Sequence, residues 1–209
     1  MLTKNDFKQA ARLTDALADK WYFSIITAVN QFLSYTPLRM AHILAQLGHE
    51  SEGFVHLEEN LMYQTQDRIL EVFGKRNGLS SALASQFVRN PEALADFVYG
   101  GVWGAQHLGN TEPGDGYKFR GSGLIQITGK SNFLTVANSL NMQLDTLPEL
   151  MRTNLEIAAT AAIWWICEKG LLTYFDRDDL AGSTRVINGS LASLVDRQQR
   201  LNYAKNILC

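Results

Sequence analysis

The stretch from Thr36 to Gly53 constrains the fold of this chain most, because it carries the signals of a buried helix from start to end. Thr36 offers a hydroxyl for the N-cap, and Pro37 stands at the first helical position, where its missing N–H is not needed. Apolar and small residues then recur at spacings of three and four up to Gly48. Gly53 can adopt the left-handed conformation that closes helices. The pattern predicts a buried helix that ends near residues 51–53.

Two glutamates flank the predicted helix end, Glu50 in its last turn and Glu59 nine residues later. At a helix C-terminus, the negative end of the dipole and the apolar helix body disfavour the ionised carboxylate. Glu59 stands in a more polar setting, beside Glu58 and Asn60, that favours the ionised form. A protonated and an ionised carboxyl are the pair required for acid/base hydrolysis of a glycosidic bond. The alternative is that both are solvated charges of a helix end and a loop.

Glycine is concentrated between Gly100 and Gly123, where eight of the sixteen glycines lie within 24 residues. This density predicts a long irregular segment instead of regular helix, either the wall of a cleft or a flexible linker. Linkers rarely carry aromatic side chains, so Trp103, Tyr117 and Phe119 favour the cleft wall. Tyr117 is therefore a candidate substrate contact.

The segment that follows, Leu124 to Thr128, alternates between apolar and polar residues. The alternation predicts a short β-strand with Gln126 and Thr128 on one side. Two interpretations remain open for these side chains: they face solvent from an edge strand, or they line a binding site.

Length and composition exclude several classes of function. The 209 residues suit one catalytic domain over residues 1–209, at most with a small lobe around residues 60–100. The net charge of −2 and the lack of a Lys/Arg cluster argue against nucleic-acid binding. No apolar run is long enough for membrane insertion, and the first residues lack the features of a signal peptide. With two cysteines only, we expect synthesis in a reducing cytoplasm. We also expect a monomer.

Three motifs in this chain resemble those of glycoside hydrolase family 19, which contains chitinases and bacteriophage endolysins. The motifs are His49-Glu50-Ser51-x-Gly53-Phe54 with Leu57-Glu58-Glu59-Asn60-Leu61-x-Tyr63, the segment Gly121 to Phe133, and Thr184 to Gly189 with the pair Asp196-Arg197. They occur in the order seen in the family and span most of the chain. The resemblance implies a mainly α, lysozyme-like domain with a small β element and a substrate cleft.

The resemblance also implies roles for particular residues. Glu50 corresponds to the general acid, and Glu59, nine positions on, corresponds to the general base in preference to Glu58. Thr128 is expected to help Glu59 position the attacking water. The implied substrate-binding residues are Gln126, Asn132, Asn188 and Arg197. A buried arginine near a carboxylate can also be a structural ion pair, so that alternative stays open for Arg197.

Two positions depart from the family pattern: Ser122 replaces the usual arginine and Phe133 the usual tyrosine. Substrate contacts made by those two family side chains are therefore not expected here. Two carboxyls, a water and a shaped cleft suffice for the chemistry, so the resemblance implies no metal and no organic cofactor.

The resemblance favours an endolysin that cleaves the β-1,4 bonds of bacterial peptidoglycan by the inverting route. Such a protein would accumulate in the host cytoplasm and reach the cell wall once the inner membrane is permeabilised. One alternative is a chitinase that acts on chitin oligosaccharides. The other is a catalytically silent sugar-binding module.

Overall fold

The computed structural model describes residues 2–74 and 76–209, and its regular structure in those residues consists of fourteen helices. In chain order they are α1 (Lys4–Ala10), α2 (Asp15–Phe32), α3 (Pro37–Glu50), α4 (Gln66–Phe73), α5 (Ser81–Gln86), α6 (Pro91–Tyr99), α7 (Gly101–Leu108), α8 (Asp115–Lys118), α9 (Lys130–Leu140), α10 (Leu147–Thr153), α11 (Leu155–Glu168), α12 (Leu171–Phe175), α13 (Leu180–Asn188) and α14 (Leu194–Leu208). The prediction of a mainly α fold is confirmed.

The chain divides into two compact units. Unit 1 comprises the described residues up to Leu57, together with Gly123–Ile125 and Leu150–Cys209. Unit 2 comprises Glu58–Ser122 and Gln126–Glu149. The prediction of one catalytic domain stays a prediction, because this division does not show whether either unit folds alone.

Helix α3 lies in the core of unit 1, where it packs on α14, while α2 packs on α11. Every residue of α3 from Met40 to Gly48 is buried. The Thr36 hydroxyl accepts a hydrogen bond from the Arg39 N–H at 3.1 Å, and Gly53 has a φ of +79° just beyond the helix end. The predicted buried helix, with its start and its end, is confirmed.

Unit 2 has its own apolar core, built mainly from α4, α5 and α6. The buried members are Leu61, Ile69, Phe73, Leu79, Ala84, Phe87, Leu94, Ala95, Val98 and Tyr99. Helix α6 packs on α7 and α8. A Cβ atom at Gly116 in α8 would lie 2.5 Å from the carbonyl oxygen of Ala95, so only glycine allows this close approach of the two helices.

The prediction that Gly100 to Gly123 forms no regular helix is wrong, because α7 and α8 lie within this segment. The glycines there mark helix ends and close contacts. Gly109, with a φ of +69°, ends α7 in the left-handed conformation, and Gly116 lies at the contact described above. Glycine counts alone could not separate these uses from an irregular loop.

The predicted strand from Leu124 to Thr128 is also wrong. Ser122 forms isolated antiparallel bridges with Glu58 and with Ile127, and residues 123–126 form a turn between the two bridged positions. Gln126 has a φ of +53°, a left-handed conformation that a strand residue does not adopt. These bridges are the β structure of the described residues.

Within residues 2–74 and 76–209, no helix is both long enough and apolar enough to cross a bilayer.

Candidate active site

Glu50 is the last residue of α3, and its side chain is 16% exposed. Arg197 of α14, 1% exposed, donates a hydrogen bond from Nη2 to Oε1 of Glu50. The second guanidinium nitrogen, Nη1, donates to the side-chain carbonyl of Gln46. Arg197 therefore forms a buried ion pair with Glu50 in this structure, which is the alternative noted from the sequence. A contact of Arg197 with sugar stays a prediction.

The Arg197 guanidinium is thus shared between two acceptors of α3, the Glu50 carboxylate and the Gln46 amide oxygen.

A second cluster lies beside Glu50, also formed by α3 and α14. Oδ2 of Asp196 is 2.7 Å from Nδ1 of His49 and accepts a hydrogen bond from Nε of Arg200 at 2.8 Å. Partial burial acts to raise the pKa of Asp196, but the bonds from Arg200 and His49 hold it below its usual value. Asp196 thus stays ionised and holds the His49 ring next to the end of α3.

Glu59 lies in unit 2 and is held by neutral donors. The Tyr99 hydroxyl donates to Oε1 at 2.5 Å, and the Gly121 N–H donates to Oε2 at 3.1 Å. The Glu59 N–H in turn donates to the Gly121 carbonyl at 2.9 Å. A Cβ atom at position 121 would lie 3.1 Å from Cβ of Glu59 and 2.8 Å from Oε1 of Gln126, so this glycine permits a close fit around the carboxylate.

The Tyr99 hydroxyl keeps its proton because its pKa is raised. Burial is the main influence that raises the pKa of Tyr99 above its usual value, and the charge of Glu59 adds to it. The same two influences raise the pKa of Tyr63. The Tyr99 hydroxyl therefore donates to Glu59 and does not accept from it.

Glu58 has a different environment from its neighbour Glu59. It forms an ion pair with Arg120, whose Nε lies 2.9 Å from Oε1 of Glu58. The Arg120 guanidinium also lies over the Tyr117 ring, 3.8 Å from its centroid, and donates to the Tyr117 carbonyl at 2.6 Å. Glu58 thus neutralises a buried cation. The ring of Tyr117, a predicted sugar contact, is partly covered by that cation.

The other predicted residues of unit 2 lie around the turn. The Thr128 hydroxyl donates to the Gln126 carbonyl at 3.1 Å, and Nδ2 of Asn132 donates to the Thr128 carbonyl at 2.8 Å. All three side chains are partly exposed. The structure brings these three residues together, and the cooperation of Thr128 with Glu59 on one water stays a prediction.

Asn188 is the last residue of α13 in unit 1 and is exposed, with its Nδ2 3.4 Å from Oγ of Ser190. The two positions that depart from the family pattern are both buried. Ser122 donates to the Arg120 carbonyl at 2.8 Å, and the Phe133 ring is fully buried with its centroid 5.4 Å from that of Phe119. These two side chains therefore serve the fold.

Sequence reasoning did not select three residues that contact the predicted site: Tyr99, Gln46 and Arg120. For Gln46 a signal existed, since it is a polar residue within an apolar helix face, one turn before Glu50. For Tyr99 no local pattern pointed to Glu59, which is 40 residues away. In the part of the chain that the structure describes, no group of three or more His, Cys, Asp or Glu side chains is arranged to hold a metal ion.

Known proteins similar to this chain include one relative that matches over most of its length. No family model matches the sequence. A protein of Haemophilus influenzae (strain ATCC 51907 / DSM 11121 / KW20 / Rd), described as a glycosyl hydrolase family 19 domain-containing protein, is 33% identical over 179 residues. The match covers 84% of this chain and 83% of that protein.

Two solved structures share the fold. Chitinase C from Streptomyces griseus HUT6037 aligns with a TM-score of 0.63 and 16% identity, over 99% of this chain and 76% of that chain. A bacterial family 19 chitinase aligns with a TM-score of 0.61 and 17% identity, over 99% of this chain and 94% of that chain. At such low identities the likeness shows the fold alone. The shared fold confirms the lysozyme-like prediction.

Proposed function

This chain belongs to glycoside hydrolase family 19, and from this premise we propose that it is an endolysin-type hydrolase of the β-1,4 bonds of bacterial peptidoglycan. Support for peptidoglycan comes from the motif Glu58-Glu59-Asn60-Leu61-x-Tyr63, which resembles that of phage endolysins. We further propose that the protein is a monomer, made in the host cytoplasm, that acts after the inner membrane is permeabilised.

The assignment of roles is carried by the family motif, in which Glu50 corresponds to the acid and Glu59, nine positions on, to the base. Glu50 contacts a buried cation at the end of an apolar helix, and Glu59 receives two neutral donors. In the proposed mechanism Glu50 gives its proton to the leaving glycosidic oxygen. Glu59 takes a proton from a water, with Thr128 as its partner in holding that water.

The bond changes of the proposed step balance. The water oxygen forms a bond to the anomeric carbon on the face opposite the leaving group, and the bond from that carbon to the glycosidic oxygen breaks. Afterwards Glu50 is ionised and Glu59 is protonated, and exchange with solvent restores both. The product from a β-linked sugar has the α configuration. Tyr99 and Gly121 contribute by holding Glu59 in a single orientation.

A second candidate function is chitin hydrolysis, because the solved structures that share this fold include chitinases. The two candidates share the same reaction and differ in the polysaccharide that is cleaved. The third possibility raised by the sequence, a silent sugar-binding module, predicts binding without turnover.

The test is to incubate the purified protein with peptidoglycan sacculi and, separately, with chitin oligosaccharides. Borohydride reduction and mass spectrometry then identify the new reducing ends. We expect a new reduced end from sacculi, either N-acetylmuramic acid or N-acetylglucosamine, and the absence of both after prolonged incubation would contradict the peptidoglycan proposal. Products from chitin alone would favour the chitinase, and binding to either polymer without products would favour the silent module.

A matched pair of variants controls for contaminating hydrolases. Glu59→Gln removes the proposed base, whereas Glu58→Gln changes the neighbouring carboxylate that pairs with Arg120. Activity that survives in both variants at the wild-type rate would mean that the products come from another enzyme or another site.

A further inference from the structure

Gln46 is a polar residue within the buried and mostly apolar part of α3. Its side chain is fully buried in α3, and it lies one helical turn before Glu50 on the same face of the helix. Burial of an amide is unfavourable unless its donor and acceptor groups are both satisfied. The partners of Gln46 therefore show which contacts offset its burial.

The orientation of the Gln46 amide follows from its neighbours. The Ser183 hydroxyl donates its own proton to the Leu180 carbonyl at 2.9 Å, so it can only accept from Gln46. Nε2 of Gln46 donates to that hydroxyl at 2.9 Å, and it also lies 3.3 Å from Oγ1 of Thr184. With the nitrogen on this side, the amide oxygen must face the opposite side, where Arg197 lies.

Arg197 donates to this oxygen and also to the Glu50 carboxylate, so it links Gln46 to Glu50. Its Nη1 donates to Oε1 of Gln46 and its Nη2 donates to Oε1 of Glu50, while Nε lies 3.4 Å from Oγ of Ser193. A guanidinium is planar and its donors point in set directions. The bond to Gln46 therefore decides the plane in which Nη2 meets the Glu50 carboxylate.

We propose that Gln46 is a positioning residue for the general acid: by holding Arg197, it sets both the orientation of Glu50 and the share of the guanidinium charge that Glu50 receives. This inference rests on the proposed function, in which Glu50 is the acid. The hydrogen-bonded chain runs in one direction, from Arg197 to Gln46 and from Gln46 to Ser183. Gln46 does not touch the reacting atoms.

The charged groups that surround Glu50 come from α3 and α14. Arg197 contacts it directly, and His49, Asp196 and Arg200 form the adjacent cluster. The remaining charged pairs on α3 are Arg39–Asp176 and His42–Asp178. They lie at least eight residues before Glu50, about 12 Å along the helix axis, so Arg197 is the dominant charge.

The test uses two substitutions with opposite electrostatic effects. Gln46→Glu keeps the shape and gives Arg197 a second carboxylate, so the ionised form of Glu50 loses part of its stabilisation. Gln46→Met keeps the approximate volume but removes the acceptor, so the Arg197 guanidinium interacts with Glu50 alone and stabilises its ionised form more. The alkaline limb of the pH profile of kcat/KM should move up in Gln46→Glu and down in Gln46→Met, each by about half a pH unit or more.

The rate should respond more than substrate binding. Misplacement of a catalytic group by about 1 Å can cost on the order of a hundredfold in rate, so we expect kcat to fall by about tenfold or more in Gln46→Met. KM should stay within about twofold, because Gln46 is fully buried. The control is His42→Gln, at an equally buried polar residue of α3 that bonds Asp178 instead of Arg197. It should leave both limbs of the pH profile in place.

A readout without substrate separates this inference from the proposed function. Carboxyl 13C NMR of glutamate-labelled protein follows the Glu50 signal with pH, assigned by its loss in Glu50→Gln. The midpoint should move in opposite directions in the two Gln46 variants, and unchanged midpoints in both would overturn the inference. If Gln46→Met does not fold, Ser183→Ala replaces it, because loss of that acceptor frees the Gln46 amide to turn.

Failure of the proposed function has a different signature. If Glu50→Gln retains wild-type turnover, Glu50 is not the acid and the catalytic part of the inference falls with it. If Glu50→Gln is inactive while the Gln46 variants lose rate only in proportion to their thermal stability, with unmoved pH limbs, the function stands and Gln46 is a structural residue.

Discussion

The Tyr99 hydroxyl donates a hydrogen bond of 2.5 Å to Oε1 of Glu59, across 40 residues of sequence. Burial raises the pKa of Tyr99, so the phenol keeps its proton. The bond fixes the rotamer of Glu59 and favours its ionised form. It also means that a proposed base is oriented by a residue of α6 that belongs to none of the three motifs.

We predict that Tyr99→Phe lowers kcat by about tenfold or more, because a general base that loses its orientation loses much of its effect. The acidic limb of the pH profile should move to higher pH, since the ionised carboxylate loses a donor. Stability should fall by about 1.5–3 kcal/mol, the usual value of one hydrogen bond to a charged group. Kinetics over a range of pH and urea unfolding measure these three quantities.

The control for Tyr99→Phe is Tyr22→Phe, which also removes one tyrosine hydrogen bond, here to the Leu2 carbonyl at 2.7 Å. Tyr22 does not contact either glutamate of the proposed site. An equal shift of the acidic limb in both variants, or no shift in Tyr99→Phe, would show that Tyr99 does not act through Glu59.

The two adjacent glutamates should differ in function. Glu59→Gln should lose nearly all activity, whereas Glu58→Gln should remain active, because Glu58 serves as the partner of the buried Arg120 guanidinium. Glu58→Gln should instead lower the melting temperature, since the guanidinium loses its counter-charge. Lysis of permeabilised cells and thermal unfolding check the pair. An inactive Glu58→Gln beside an active Glu59→Gln would reverse the assignment.

Removal of the proposed acid should separate activity from stability. Glu50→Gln should lose about a hundred- to ten-thousand-fold in rate, the usual contribution of a proton donor. Its amide oxygen can still accept from Arg197, so the fold should persist. Glu50→Ala leaves that buried guanidinium without its partner and should unfold at a clearly lower temperature. Retention of more than about a tenth of wild-type turnover by folded Glu50→Gln would reject the acid role.

Stability should depend on pH through His42, which is fully buried and stacks on Phe175 with ring centroids 5.0 Å apart. Burial lowers the pKa of His42 below 6.5, against the opposing effect of its bond to Asp178. The unfolded chain therefore binds the proton more readily than the folded protein. The contribution of His42 is fully present above about pH 6.5 and is lost as the pH falls towards the folded pKa.

Urea unfolding at about pH 7.5 and about pH 5 tests this expectation. Wild type should lose more stability between these two pH values than His42→Gln does. The control is His56→Gln, at an exposed histidine, and it should lose as much stability as wild type. Asp178, whose pKa is held below 3.8 by Lys205 and His42 despite partial burial, titrates outside the interval. Equal losses in wild type and His42→Gln would contradict the assignment.

Local patterns in the sequence predict the parts of this molecule that depend on neighbouring residues. Helix α3 is one example, since Thr36, Pro37 and Gly53 set its start and end through contacts with nearby backbone. The candidates Glu50 and Glu59 also follow from a motif. Such features need no knowledge of the fold.

Features that depend on distant residues escape the same reasoning. The partner of Gln46 is 151 positions away, and that of Glu59 is 40 positions away. The alternation from Leu124 to Thr128 predicts a strand, but Gln126 takes a left-handed conformation and the segment turns. Ser122 and Phe133, which depart from the family pattern, are both fully buried, and the sequence did not indicate that burial.

In the proposed mechanism Glu50 and Glu59 hydrolyse a β-linkage by a single inverting displacement. The most direct measurement is proton NMR of the first product from soluble, uncrosslinked glycan strands, recorded before the anomers equilibrate. The account predicts that the new reducing end appears as the α-anomer, and that Glu59→Gln abolishes its formation. An initial β-anomer, or a glycosyl ester trapped on Glu59, would contradict it.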